Sequence, residues 1–269
     1  MSLDLSILGK KVDAPESYNP AILFPISRSG QRAEFANKIE FKGVDIWYAY
    51  EISWLNPKGK PQVALGRFIF DANSENIVES KSLKLYLNSL NNFNVENMQT
   101  LQNIIKGDLS KASSSDVDVT LFSVKDKFEF LEYDGIYLDD LDVEINYEKK
   151  VDTSYLKKSD TLVKEKVYTD LFKANCLVTH QADWATLFIE YEGHKIDHEG
   201  LLKYLISYRN HNSFHEHCVE HIYADLLTIL KPTFLNVYAK FTRRGGLDIT
   251  PYRTNQTLKL PSFGRTTRQ

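Results

Sequence analysis

Apolar and polar positions along this chain alternate, then recur at helical spacing, then alternate again, and the cycle runs twice. Asp45-Ile46-Trp47-Tyr48-Ala49-Tyr50-Glu51-Ile52-Ser53-Trp54 predicts a strand, Asn56-Pro57-Lys58-Gly59-Lys60-Pro61 a turn, and Gln62 to Asp71 a returning strand. Period-two runs bounded by Pro and Gly are hairpin signals. Leu83, Tyr86, Leu87, Leu90 and Phe93 then recur at helical spacing, and Met98, Leu101, Ile104, Ile105 and Leu109 predict a second helix. The small residues Ala112, Ser113, Ser114 and Ser115 end it, and Asp116 to Val124 alternates as a strand. Phe128, Phe130, Ile136 and Tyr137 suggest a further strand or two before residue 155.

The second half repeats this order. Strands are expected at 175–180 and 185–192 around the turn Gln181-Ala182-Asp183, a helix from about Asp197, and another from Phe214 to Leu230. Leu235, Val237, Ala239 and Phe241 alternate with Asn236, Tyr238, Lys240 and Thr242, which predicts a strand with one buried face. Arg243-Arg244-Gly245-Gly246 makes a turn, and Leu247-Asp248-Ile249 begins a return strand. The expected class is therefore α+β, with two tandem modules, each an antiparallel sheet carrying a helix pair on one face. Residues 1–40, with Pro15, Pro20 and Pro25, are expected as an arm wrapped onto the body. The modules are expected over 41–155 and 156–269, because Glu148-Lys149-Lys150 and Lys157-Lys158-Ser159-Asp160 break the apolar pattern.

Composition narrows the class without naming a function. An apolar fraction of 42% and a charged fraction of 26% are those of a soluble globular protein. A net charge of −3 gives no field for nucleic acid or an anionic membrane. No apolar run approaches the roughly 18 residues that span a bilayer, and Met1-Ser2-Leu3-Asp4-Leu5 lacks a basic n-region followed by an apolar h-region, so no leader is expected from it. Two cysteines, Cys176 and Cys218, are no disulfide framework in 269 residues, so a reducing cytoplasm is expected. Cys218 lies on the apolar side of its helix and reads as core.

Four stretches carry candidate chemistry. In Lys173-Ala174-Asn175-Cys176-Leu177-Val178-Thr179-His180-Gln181-Ala182-Asp183-Trp184 a carboxylate follows a cysteine by seven residues. Across a hairpin turn the two can face one pocket, where a thiolate is a strong nucleophile and a carboxyl relays protons. The competing account is a small buried strand cysteine. Glu79-Ser80-Lys81-Ser82-Leu83-Lys84-Leu85-Tyr86 opens a helix with Lys81 and Lys84 on one side of its first turn. Lysines oppose the helix dipole there, so with exposed amides they suit an anion such as a cofactor phosphate. Capping by Ser80 or a neighbour, with solvated lysines, is the alternative. In Asn212-Ser213-Phe214-His215-Glu216-His217-Cys218-Val219-Glu220-His221, Ser213 and Glu216 fit a capping box. His217 to His221 also fits the H-x-x-E-H zinc-protease pattern, and His215 with Glu216 could bind a polar heterocycle. Arg243-Arg244-Gly245-Gly246 joins charge to glycine, which admits close approach of a ligand. Neither a Rossmann fingerprint nor a P-loop is present.

Together these motifs, in this order from about residue 40 to 255, resemble the NADPH-dependent 7-cyano-7-deazaguanine reductases, nitrile reductases of queuosine biosynthesis, in their longer two-module type. The resemblance implies the tunnelling fold, a homodimer, and a substrate pocket where modules meet. It implies Cys176 as the nucleophile that forms a covalent thioimide, and Asp183 as proton donor and general acid/base. Val78, Glu79, Ser80, His215 and Glu216 match substrate-binding positions, and Ser80, Lys81, Arg244 and Gly245 match NADPH-binding positions. NADPH is the co-substrate, and no metal, direct nucleic-acid contact or membrane is expected. Two alternatives stand beside it: a zinc-dependent tunnelling-fold hydrolase of the GTP cyclohydrolase kind, with Cys176 and histidines as ligands, and a non-catalytic purine- or pterin-binding module.

Overall fold

A computed structural model describes residues 15–35, 39–146, 150–260 and 264–269. The start of the expected arm, and Glu148 and Lys149 of the expected boundary, lie outside the described residues. The chain forms two compact units. The first holds the described residues up to 35, Val44–Phe128 and Arg243–Ile249; the second holds residues 39–43, Glu129–Thr242 and Thr250–Gln269. Residues 129–146 and 150–155, read from the sequence as part of the N-terminal module, fall in the second unit.

In the first unit β2 (Lys42–Leu55), β3 (Pro61–Asp71) and β5 (Val117–Phe122) form an antiparallel sheet in the order β5-β3-β2. Asn56 makes the β2–β3 turn by accepting the Lys58 and Lys60 amides on its side chain. Two helices follow β3, α2 (Ser80–Ser89) and α3 (Met98–Ser113). Asn97 caps α3 through the Thr100 amide, and left-handed Ser114 ends it. Trp47, Ala49, Ala64, Phe68, Phe70, Val119 and Leu121 from the sheet pack in one core with Leu83, Tyr86 and Leu87 of α2 and Leu101, Ile105 and Leu109 of α3. The helix pair therefore covers one sheet face. Burying each such leucine is worth about 1.5–3 kcal/mol, and this is why the apolar stripe was visible in the sequence.

Part of the arm has structure of its own. β1 (Pro25–Ser27) pairs with β4 (Asn76–Val78), and α1 (Arg28–Arg32) follows. The Arg28 guanidinium is buried, 2.5 Å from the Asp45 carboxylate, and donates to Ser74 Oγ at 3.0 Å.

In the second unit the order is β11-β10-β9-β7-β6, β11 contributing only its part from Thr250 onward, and β8 pairs with the start of β9. These are β6 (Ile136–Tyr137), β7 (Lys158–Thr169), β8 (Lys173–Asn175), β9 (Ala182–Ile196), β10 (Phe234–Phe241) and β11 (Leu247–Thr254). All pairs are antiparallel except β6 with β7. Between β9 and β10 lie α4 (His198–Ser207), capped by Asp197, and α5 (His215–Leu230). Leu201, Leu202 and Leu205 of α4 and Val219, Ile222 and Leu226 of α5 are buried, as are Leu187, Ile189, Leu235 and Val237 of the sheet. Each unit thus has the expected α+β make-up of sheet and helix pair.

Three readings of the second half are corrected. Leu177 to Thr179 form a turn, and the strand is Lys173–Asn175. β7 occupies the charged stretch read as a boundary; most of it is exposed, so it carries no apolar alternation to reveal it. Asn236 and Lys240 of β10 are buried where a solvent face was expected. Asn236 Nδ2 donates to Glu190 Oε2 at 3.2 Å and Lys240 Nζ to the Gly264 carbonyl at 2.9 Å, so both side-chain nitrogens find acceptors inside the fold.

Candidate active site

The second unit carries the thiol. β8 and the start of β9 form a ribbon in the register Lys173↔Trp184, Ala174↔Asp183 and Asn175↔Ala182. The ladder extends one step further, since the Cys176 amide donates to the Gln181 carbonyl at 2.8 Å and the His180 amide to the Cys176 carbonyl at 3.0 Å. His180 closes the loop in the left-handed region, φ 54°. Directly paired residues share a ribbon face, and so do residues two apart on one strand. Asp183 pairs with Ala174, and Cys176 stands two beyond it, so thiol and carboxyl project from the same face. Cys176 is half-buried and Asp183 is buried.

The ribbon also positions α5. The Asn175 amide donates to the His211 carbonyl at 2.8 Å, and the Ser213 amide to the Asn175 carbonyl at 3.0 Å. Lys173 tightens this junction by donating to Asn175 Oδ1 and to the Arg209 carbonyl, both at 2.6 Å. Burial pushes the Lys173 pKa down, and the Arg209 charge adds to the effect, with Asp183 opposing it. The helix consequently begins at the ribbon, with His215 Nε2 3.6 Å from Asp183 Oδ2 and the imidazole edge-on to Phe241 at 4.0 Å between centroids. Glu216 follows in the first turn and is buried. Its expected capping box with Ser213 does not form, because Phe214 is the N-cap residue and no side chain caps the helix. Cys218 is fully buried; burial drives its thiol pKa far up, and the nearby Asp183 and Glu216 charges push it the same way against a Ser213 hydrogen bond. Both cysteines are free.

The first unit carries the lysine motif and the glycine turn. Val78 ends β4 and is buried, and Glu79 is the N-cap of α2. One carboxylate oxygen of Glu79 accepts the Lys81 amide at 2.7 Å and the other the Ser82 amide at 2.8 Å. The exposed amides expected for an anion are therefore occupied, and the capping alternative holds, with Ser80's neighbour Glu79 as the cap. Burial raises the Glu79 pKa; the two amides and the Lys84 charge pull it back. Ser80, Lys81 and Lys84 stay half-buried. Across from them, Gly245 and Gly246 both have positive φ, 55° and 75°. A Cβ on Gly245 would lie 3.0 Å from Lys84 Nζ, and one on Gly246 would lie 2.6 Å from the Glu51 carboxyl carbon. The Lys84 ammonium thus rests over the glycine turn that Arg244 opens.

A groove of about 490 Å³ runs beside this turn, lined among others by Tyr50, Glu51, Lys84, Asn88, Asn91 and Gly245. A register shift in β2 between Ala49 and Ile52 turns Tyr50 and Glu51 out of the ladder. The Tyr50 amide then reaches the Gly246 carbonyl at 2.9 Å and its hydroxyl donates to Asp248 Oδ2 at 2.5 Å, while the Arg243 guanidinium lies 4.2 Å over the Tyr50 ring. No sequence signal marks a bulge of this kind, and Tyr50, Glu51, Asn88 and Asn91 were not singled out from the sequence. Lys84 was visible through its spacing from Lys81.

The family model described as nitrile reductase, 7-cyano-7-deazaguanine-reductase N-term, matches residues 14–121, and that of QueF-like protein matches residues 182–259. The NADPH-dependent 7-cyano-7-deazaguanine reductase of Rickettsia bellii is 46% identical over the whole of both chains, and that of Cupriavidus metallidurans 48% identical over 98% of each. The chain belongs to the 7-cyano-7-deazaguanine reductase family. Among solved structures, the apo form of an archaeosine synthase QueF-Like is matched over 38% of this chain and all of its own, at 19% identity and a TM-score of 0.32.

Asp183, His215, Glu216, Arg244 and Gly245 fall within the second matched segment, and Val78 to Lys81 within the first; Cys176 lies between the two. The zinc-protease reading fails at its base. Glu220 is buried and accepts both Nε and Nη2 of Arg253 at 3.0 and 2.7 Å, so it is committed to an ion pair. Nor does Cys176 join any group of three potential metal ligands among the described residues.

Proposed function

We propose that this chain reduces the nitrile of 7-cyano-7-deazaguanine to the primary amine 7-aminomethyl-7-deazaguanine, a step of queuosine biosynthesis, through a thioimide on Cys176. The observation that carries the mechanism is the shared ribbon face of Cys176 and Asp183, with His215 3.6 Å from the carboxylate. The Cys176 sulfur adds to the nitrile carbon, one C–N π bond breaks, and the thiol proton passes by way of Asp183 to the nitrogen, giving a thioimide. NADPH supplies the two hydrides, one in each of two rounds, and solvent supplies two protons. Between the rounds the C–S bond breaks and Cys176 leaves, so an imine must be held until the second round. His215 orients the Asp183 carboxyl, and Glu216 accepts the N–H groups of the purine-like ring, with Val78, Glu79 and Ser80 in the same substrate set. Exclusion of water protects the imine from hydrolysis.

For NADPH the residues of the first unit fit a phosphate-bearing ligand. The Lys84 ammonium over left-handed Gly245 offers charge and close backbone approach together. Ser80, Lys81, Arg244 and Gly245 would hold it, with Lys84 beside them. The amide pair at the start of α2 plays no part in this, being filled by Glu79.

The reading includes a homodimer that works in the cytoplasm on a small molecule, without touching nucleic acid. No helix among the described residues is long and apolar enough to cross a membrane. Sedimentation of the purified chain tests the dimer. The deciding experiment is NADPH oxidation with limiting nitrile: two NADPH consumed per nitrile, and none in Cys176→Ala, is expected. A folded protein that binds the nitrile yet consumes no NADPH would overturn the reading.

A further inference from the structure

His217 and His221 stand four apart on α5, one turn above the other, and have no role in the reduction. Their Nε2 atoms lie 3.0 Å apart, and the rings meet nearly at right angles with centroids 4.5 Å apart. Two nitrogens bound to one zinc ion at about 2.0–2.1 Å, in tetrahedral arrangement, are roughly 3.3 Å from each other. The pair is thus within a few tenths of an ångström of a chelating geometry, on a helix that fixes both Cβ positions. His217 is buried and His221 half-buried, so the rings converge at the margin of the core and not in open solvent. A cavity of about 280 Å³ adjoins His221, lined also by Tyr208, Asn210, His211 and Asn212. That cavity has room and polar walls for the water molecules that would complete an ion's coordination.

We infer that His217 and His221 form a binding site for a divalent transition-metal ion of the zinc, nickel and copper class. Imidazole nitrogens favour these ions over magnesium or calcium, which require oxygen donors throughout. Glu220, the acid of the H-x-x-E-H pattern, is tied to Arg253, so the site is read as binding an ion and not as the centre of a zinc protease. An ion there links the first two turns of α5, the helix that begins with His215 and Glu216.

The test uses the full chain with Cys176→Ser, which removes the accessible thiol as a competing ligand and also removes the nucleophile of the proposed reduction. Metal binding is read directly, so the outcome is independent of that proposal. After dialysis against micromolar zinc, about one equivalent should remain bound. His221→Gln should weaken retention at least tenfold, while His198→Gln, on another helix, should leave it unchanged. Zinc should also raise the thermal midpoint of the parent and not of His221→Gln. No retention above buffer, or retention undiminished in a folded His221→Gln protein, would sink the inference.

Discussion

At the scale of single residues the two cysteines define opposite environments. Cys176 ends a ribbon and is half-buried, whereas burial keeps the Cys218 thiol protonated, with the Asp183 and Glu216 charges adding to it. Iodoacetamide at pH 8 should therefore label one site on the native chain, Cys176, and a second only in denaturant, as mass spectrometry of the peptides would show. Folding also links Cys218 to pH. With its pKa raised in the fold, the native state holds a proton that the unfolded chain releases above about pH 8.5. Its contribution to stability is full below that value and falls as pH rises, by up to about 1.4 kcal/mol per unit. Urea midpoints between pH 8.5 and 10 should decline less steeply in Cys218→Ala. Gly245 offers another residue-scale test. Alanine at φ 55° costs about 1–2 kcal/mol, and its methyl would displace the end of Lys84. Gly245→Ala should raise KM for NADPH about tenfold with kcat largely kept; an unchanged KM would remove this turn from the cofactor site.

At the scale of elements, what the sequence reveals depends on which forces hold each piece. The helix pair of the first unit was legible because Leu83, Tyr86, Leu87, Leu101, Ile105 and Leu109 bury one stripe, and burial imposes a period. β7 was not legible, since Lys158 to Lys166 are mostly exposed and the strand is held by its ladder to β9, which leaves no trace in residue type. β10 misled for the opposite reason: Asn236 and Lys240 look solvated in sequence, and their partners Glu190 and Gly264 are supplied by other segments. For the site, residue types and spacing pointed to Cys176, Asp183 and the helix start at His215. The anchoring of α5 through Lys173 and Asn175, and the bulge that exposes Tyr50, depend on pairing register, which one sequence does not record. The Arg253–Glu220 pair joins α5 to β11 with both groups buried. Arg253→Met leaves Glu220 buried and uncompensated, so a loss of about 3–5 kcal/mol is expected. Combining it with Glu220→Gln should recover most of that loss in urea unfolding.

At the scale of the molecule, the units are not consecutive stretches of chain. Arg243–Ile249 belong to the first unit although more than a hundred residues of the second precede them. Leu247 and Ile249 are members of the first unit's core, and Asp248 accepts the Tyr50 hydroxyl there. A fragment of residues 1–128 therefore lacks core side chains and one wall of the proposed NADPH groove. It should unfold without a cooperative transition in urea, and a sharp transition would show that the late segment is dispensable. The same threading imposes an order in time. A ribosome adds roughly 5–20 residues per second, so after Phe128 is made the first unit waits on the order of 6–24 s for Ile249. During that interval the partly built sheet of β2, β3 and β5 is a nascent chain without its last segment, exposed to whatever chaperones or proteases meet it first.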